Sequence, residues 1–191
     1  MKYLIVGRQG CGIPEIIQEI ENLGLSVGHV FRSIKDIDPQ SYSISRIVYD
    51  HSDIEKIEET NSYIFMQECF QKEKFLEGLS FYEYDRNDVV YMGVDHMVKI
   101  PQRVWDKMDV TIIWLDNTFD FRQNYMIDNQ YKHIFKIQED NENFNIPGFM
   151  ERIYDKSHIY FFNEDPRRVA AVVYSLVKHP DLLDIFIKNF D

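Results

Sequence analysis

An uninterrupted apolar run, Tyr3-Leu4-Ile5-Val6, ends in glycine and predicts a strand buried on both faces. The tight segment Gly7-Arg8-Gln9-Gly10-Cys11-Gly12 follows it. Apolar positions then recur at helical spacing (Ile16, Ile17, Ile20, Leu23), and Gly24 supplies a left-handed stop. Pro14 suits the first helical position, because its φ is already helical and its missing N–H would have no partner there. Residues 25–31 predict a second strand. Strand, glycine loop, helix and strand within about 30 residues make a βαβ unit, from which parallel sheets are built.

The middle of the chain is patterned differently. Residues 41–50 alternate as an exposed strand does, 53–60 predict a short polar helix, and 63–66 another strand. Residues 68–78 predict a helix carrying Phe70, Phe75 and Leu76. Residues 81–84 and 89–92 flank the turn-forming Asp85-Arg86-Asn87-Asp88 and predict a hairpin. Residues 110–115, ending at Asp116, are the most strand-like run in the chain. A helix over 118–137, a polar acidic loop over 138–148, a last strand over 158–162 and a helix over 166–178 complete the pattern. No internal repeat interrupts it. The predicted fold is α/β, one domain with a three-layer parallel-sheet core (1–31 and 99–191) and a small inserted lobe at 32–98.

Composition narrows the function classes. Among 191 residues, 45% are hydrophobic and 15% aromatic, enough to bury a core, which excludes a disordered chain. Asp plus Glu outnumber Lys plus Arg by 32 to 21, giving a formal charge of −11 that opposes steering towards nucleic acid or an anionic membrane. No apolar run approaches the roughly 18 residues of a membrane span. Cys11 and Cys69 form no CxxC pair and no disulfide framework, so a reducing cytoplasm is expected, that of a host if the chain is viral. Richness in Ile, Lys, Asn, Asp and Tyr suits a low-GC bacterium or a phage. The six histidines show no pair at metal spacing, so no metal is expected. Cys11 lies at a helix N-terminus, where a thiolate would be stabilised, although no motif ties a histidine to it and a small loop filler is its expected role.

The phosphate-loop pattern is G-x-x-x-x-G-K-[ST]. Gly7 and Gly12 stand at its separation, followed here by Ile13 and Pro14. Further along come Phe31-Arg32-Ser33, then Tyr63-Ile64-Phe65 with Glu73-Lys74-Phe75-Leu76-Glu77. Phe81-Tyr82-Glu83-Tyr84 with Tyr91-Met92-Gly93, and the tail His158-Ile159-Tyr160-Phe161-Phe162-Asn163-Glu164-Asp165, complete the set. In order and spacing these segments resemble the guanylate kinase family of P-loop nucleoside monophosphate kinases. The resemblance implies a P-loop kinase-like core and a lobe that binds a purine monophosphate, GMP or dGMP. It assigns Gly7, Arg8, Gly10 and Gly12 to the donor phosphates and Arg32, with Arg46, to the monophosphate. Tyr91 would join the arginines at that phosphate, Glu83 and either Asp95 or Asp116 would read the base, and Arg122 would be a lid arginine. Structural roles stay open beside these: strand packing for Tyr82 and Tyr91, and solvated surface for Arg46 and Arg122.

Phosphoryl transfer rests on positioning and charge neutralisation. Ile13 stands where the pattern has its lysine and Pro14 where it has the Mg²⁺-binding hydroxyl; Pro14 also removes an N–H from the cradle. Glu15 adds a carboxylate in the first helical turn, good for the helix dipole and repulsive towards a triphosphate. The expectation is a degenerate kinase with weak or no ATP–Mg²⁺ binding and transfer, acting through a protein partner on the lobe. The alternatives are an active ATP-dependent (deoxy)nucleoside monophosphate kinase, or an acidic inhibitor that imitates nucleic acid.

Overall fold

The computed structural model describes residues 1–8, 10–33, 48–49, 63–70, 74–128, 148–162 and 165–188. The first half runs β1 (Lys2–Gly7), α1 (Ile13–Asn22), β2 (Val27–His29), β3 (Phe31–Ser33), β4 (Val48–Tyr49), β5 (Tyr63–Phe70) and β6 (Lys74–Ser80). Then come α2 (Phe81–Arg86), β7 (Val89–Gly93), α3 (Val94–Met97), α4 (Gln102–Trp105), β8 (Val110–Asp116) and α5 (Phe119–Asp128). The chain continues through α6 (Phe149–Tyr154), β9 (Ser157–Phe162), α7 (Pro166–Lys178) and α8 (Leu183–Lys188).

Five strands form a parallel core sheet in the order β2-β7-β1-β8-β9. The central strand β1 is buried on both sides, which its continuous apolar run requires. On one face Tyr3 and Ile5 pack with Ile113 and Ile159 under α1 (Ile16, Ile17, Ile20) and α7 (Val169, Val173, Leu176). The Tyr3 hydroxyl donates to the Leu176 carbonyl at 2.9 Å, so the ring is buried without stranding its polar end. Asp165 caps α7 by accepting from the Arg167 N–H at 2.8 Å, with Pro166 in the first turn. On the other face Leu4, Val6, Val90, Met92 and Ile112 meet Met97, Ile100, Trp105 and Ile153.

A second sheet, in the order β4-β3-β6-β5, sends Ile64, Phe65 and Leu79 into that second face. Its β3–β6 and β5–β6 pairs are antiparallel and its β3–β4 pair is parallel. No described helix is long and apolar enough to cross a membrane.

Three expectations are corrected. Residues 68–78 are not helical; they are the facing strands β5 and β6, with Cys69 opposite Phe75 and Phe70 opposite Lys74. A short apolar run fits either period, and here docking of Phe65 and Leu79 on the core decides for strands. The hairpin over 81–92 is absent. Ser80 accepts from the Glu83 N–H at 3.0 Å and starts a helix, so Ser80-x-x-Glu83 acts as a helix start rather than a strand. Residues 89–92 are wholly buried and lie between β1 and β2, so the range 32–98 contains a core strand. Of the helix expected over 118–137, Phe119–Asp128 is described, and of the strand over 41–50, Val48–Tyr49. The helix expected over 53–60 lies outside the described residues.

The sheet topology creates one crevice. Neighbouring strands β1 and β7 send the chain to opposite faces, α1 into the first core cluster and α3–α4 into the second. Adjacent parallel strands that diverge in this way leave an opening at their carboxyl ends, here between Gly7 and Gly93, which face each other in register.

The second sheet depends on a close approach at Gly78, where a Cβ would stand 2.6 Å from the Phe65 carbonyl oxygen and 2.9 Å from the Phe31 ring. Gly78→Ala is expected to lower stability by about 1–3 kcal/mol, the range for overpacking. Urea denaturation checks this, and an unchanged midpoint contradicts it.

Candidate functional site

The glycine loop leaves β1 at the edge of this crevice. Gly10 and Gly12 take φ of +85° and +72°, which side-chain-bearing residues rarely adopt, and the Cys11 N–H closes the turn on the Arg8 carbonyl at 3.2 Å. Gly12 is the N-cap of α1 without a side-chain cap. Ile13 turns inward: it is 2% exposed, and its Cδ1 lies 2.6 Å from where a Cβ on Gly7 would stand. α5 closes from the other side, its Arg122 carbonyl oxygen 2.7 Å from the Cβ position of Gly10.

Charged groups gather behind the loop. The Arg8 Nε lies 3.8 Å from Asp116 Oδ1, and both side chains are nine-tenths buried. Asp116 Oδ1 also accepts from the Asn117 N–H at 2.7 Å. Arg122 is fully buried in α5. Cys11 lies within electrostatic reach of Asp116, Arg122 and Arg8. Burial, helped by the Asp116 charge, pushes its thiol up to about 12 against the opposing arginines. Desolvation thus outweighs the helix start that would stabilise a thiolate, and Cys11 sits as the buried small residue of the loop. Tyr160 packs edge-on against Trp114, ring centroids 5.0 Å apart, and burial followed by the Asp116 charge raises its hydroxyl pKa. One further contact closes the loop: the Tyr125 hydroxyl donates to the Glu15 carboxylate, 2.7 Å from each oxygen.

Of the residues singled out from sequence, Gly7, Arg8, Gly10, Gly12, Asp116 and Arg122 come together here. The others lie elsewhere. Glu83 sits buried in α2, where Asn87 Nδ2 donates to its Oε1 at 3.0 Å and Arg86 Nε lies 3.5 Å from its Oε2. Tyr91 is buried in the first core cluster, edge-on to His29, and burial raises its pKa far above the phenolic range. Arg32 occupies β3 opposite Glu77 of β6. Arg46 lies outside the described residues.

Sequence reasoning missed a second constellation across the crevice. Glu77, 3% exposed on β6, lies 3.1 Å from His96 Nε2 of α3, the helix that follows β7. Phe65 stacks on the imidazole, centroids 5.8 Å apart. Nineteen residues separate the pair in sequence and no local motif links them, so only the fold brings them together. Among the described residues no group of three His, Cys, Asp or Glu side chains is placed to hold a metal ion.

No family model matches the chain, and no curated protein matches it. Among solved structures, a guanylate kinase from Anaplasma phagocytophilum is similar over 94% of this chain and 85% of that one, with a TM-score of 0.51 and 8% identity. A shikimate kinase from Acinetobacter baumannii, in complex with shikimate, covers 95% of this chain and 94% of its own at a TM-score of 0.46 and 14% identity. The mostly parallel central sheet with flanking helices is that of the P-loop kinase-like α/β fold.

The buried thiol gives a direct check. A thiol whose pKa rises on folding contributes fully to stability below its unfolded value of about 8.5, and loses that contribution as the pH climbs towards about 12. In a Cys69→Ser background, native Cys11 is expected to react with iodoacetamide at pH 8 at least about 100-fold more slowly than in urea. Equal rates would show an exposed or activated thiol.

Proposed function

We propose that this chain is a guanylate-kinase-like protein that no longer transfers phosphate from ATP and works by binding a protein partner in the cytoplasm. The observation that carries the reading is the packing of Ile13 beneath the glycine loop. The position where the phosphate-loop pattern has its lysine is filled by a buried hydrocarbon, leaving no cation there to meet the β- and γ-phosphates. Pro14 offers neither a hydroxyl for Mg²⁺ nor an N–H for phosphate. Glu15, held by Tyr125, keeps a carboxylate in the first turn that repels a polyphosphate.

The partner surface is narrower than the aromatic content implies. Tyr84 and Tyr91 are buried in the two core clusters. Phe81, Tyr82 and Met66 are exposed, and the Arg86 guanidinium lies over the Tyr82 ring at 5.2 Å. Aromatic and arginine side chains dominate binding hot spots, which favours α2 and the adjoining sheet as the contact surface. A purine monophosphate, GMP or dGMP, belongs to this reading as a ligand of the second sheet, with Arg32 at its phosphate. Glu83 is already engaged by Asn87 and Arg86 and is not offered as its base reader.

One observation favours a second reading. Arg8 and Arg122 place two guanidinium groups behind the loop, and in an active nucleoside monophosphate kinase they would supply the missing cation.

Calorimetry separates the two. With the full chain, ATP–Mg²⁺ is expected to bind more weakly than about 1 mM, equivalent to about −4 kcal/mol, and no ADP should form in the presence of GMP or dGMP. A dissociation constant at or below about 10 μM with ADP release would establish the kinase instead.

A further inference from the structure

The two edges of the core sheet are built differently. β2, at one edge, has three residues, all buried, and α2 lies against it: a Cβ on Gly28 would stand 2.9 Å from Asn87 Nδ2 and 3.0 Å from the Glu83 carbonyl oxygen. β9, at the other edge, has six residues, and among the described residues it pairs only with β8, in unbroken register. Natural edge strands are kept from pairing by shortness, bulges, proline or charge. β9 reads Ser157-His158-Ile159-Tyr160-Phe161-Phe162, with no Lys, Arg, Asp, Glu or Pro.

A strip of rings runs beside that edge. Ile159 and Phe161 enter the first core cluster, so His158, Tyr160 and Phe162 lie on the opposite face. Tyr160 stacks on Phe162 with centroids 6.2 Å apart, and Tyr154 of α6 meets His158 edge-on at 5.6 Å. Tyr154, Tyr160 and Phe162 are 67%, 42% and 44% exposed.

The strip is self-complementary. When two copies pair their β9 strands antiparallel about a two-fold axis at Tyr160, the two Tyr160 rings meet, and Phe162 of each copy comes beside His158 of the other. Charge fits the same arrangement. Exposed Glu151 and Asp155 stand before β9, and exposed Arg167 and Arg168 follow it. Antiparallel pairing lays the start of one strand against the end of the other, so acid meets base at both ends. Asp165, which falls opposite Asp155, already accepts from the Arg167 N–H at 2.8 Å. The three rings offer about 200–400 Å² per copy. That is well under the roughly 800 Å² per partner of a standard interface, so the association is weak and reversible.

We propose that β9 is a self-association edge, through which two copies of this chain join their core sheets into one and cover Tyr154, Tyr160 and Phe162. The surface lies across the sheet from α2 and needs no nucleotide. Its failure would leave the proposed partner surface and the loss of phosphoryl transfer untouched.

Sedimentation equilibrium of the full chain between about 5 and 500 μM tests this, with a monomer–dimer equilibrium expected. Tyr160→Lys and Phe162→Lys should each weaken the dimer at least tenfold, although each adds a positive charge to a chain at −11 and so lessens overall repulsion. Leu23→Lys makes the same change of charge at an exposed position on α1 and should leave the dimer intact. Circular dichroism checks that the variants fold. In a Cys69→Ser background, Tyr160→Cys should form a disulfide-linked dimer under mild oxidation, because the two-fold axis places this residue against its own copy. A monomer at every concentration, a dimer that survives both β9 lysine variants, or a Tyr160→Cys chain that cross-links no faster than Leu23→Cys would overturn the proposal. So would exchange protection of all six β9 amides in the monomer, which would mean that another part of the chain covers the edge.

Discussion

The contact between Gly7 and Ile13 governs this molecule. Gly7 ends the central strand without a side chain, and the Ile13 methyl occupies the space a Cβ would take. That approach brings the first turn of α1 down on the end of β1, so Ile16, Ile17 and Ile20 follow onto the same face of the sheet. With α1 committed to one face, the segment after β7 fills the other, and the crevice between Gly7 and Gly93 results. The same contact that anchors the fold buries a hydrocarbon at the position where the phosphate-loop pattern has its lysine.

Behind the loop, burial outweighs attraction. Arg8 and Asp116 are close in a low-dielectric setting, but such pairs repay little beyond their desolvation, and they specify geometry more than they stabilise. The Cys11 thiol reports the balance: two arginines lie within reach, and its pKa still rises. A site in which desolvation beats neighbouring cations is a packed interior.

Much of the core was legible in the sequence, because its elements are long or strongly patterned. The run at residues 3–6, the spacing of Ile16, Ile17 and Ile20, the run ending at Asp116, and the Asp165–Pro166 helix start each had one reading. Between residues 68 and 92 local pattern was ambiguous and tertiary contact decided. The sparse apolar residues at 70, 75 and 76 suit a helix as well as facing strands, and docking of Phe65 and Leu79 selected strands. Ser80-x-x-Glu83 is a helix-start signal that prevailed over the strand-like aromatic residues around it. The site divided in the same way. Residues within or just after the loop were found by spacing, whereas Glu77 and His96 lie in elements that meet only once the second sheet has packed.

Native-state hydrogen exchange of the loop tests the central claim most directly. The Cys11 N–H is bonded to the Arg8 carbonyl and the Ile16 N–H to the Gly12 carbonyl, in a segment where Cys11, Ile13 and Ile16 are buried. If the loop is a packed part of the core, these two amides exchange only through global unfolding, with the same free energy as the amides of β1. Exchange far faster than that of β1 would show a loop that opens on its own, ready to receive an anion, and would contradict the account.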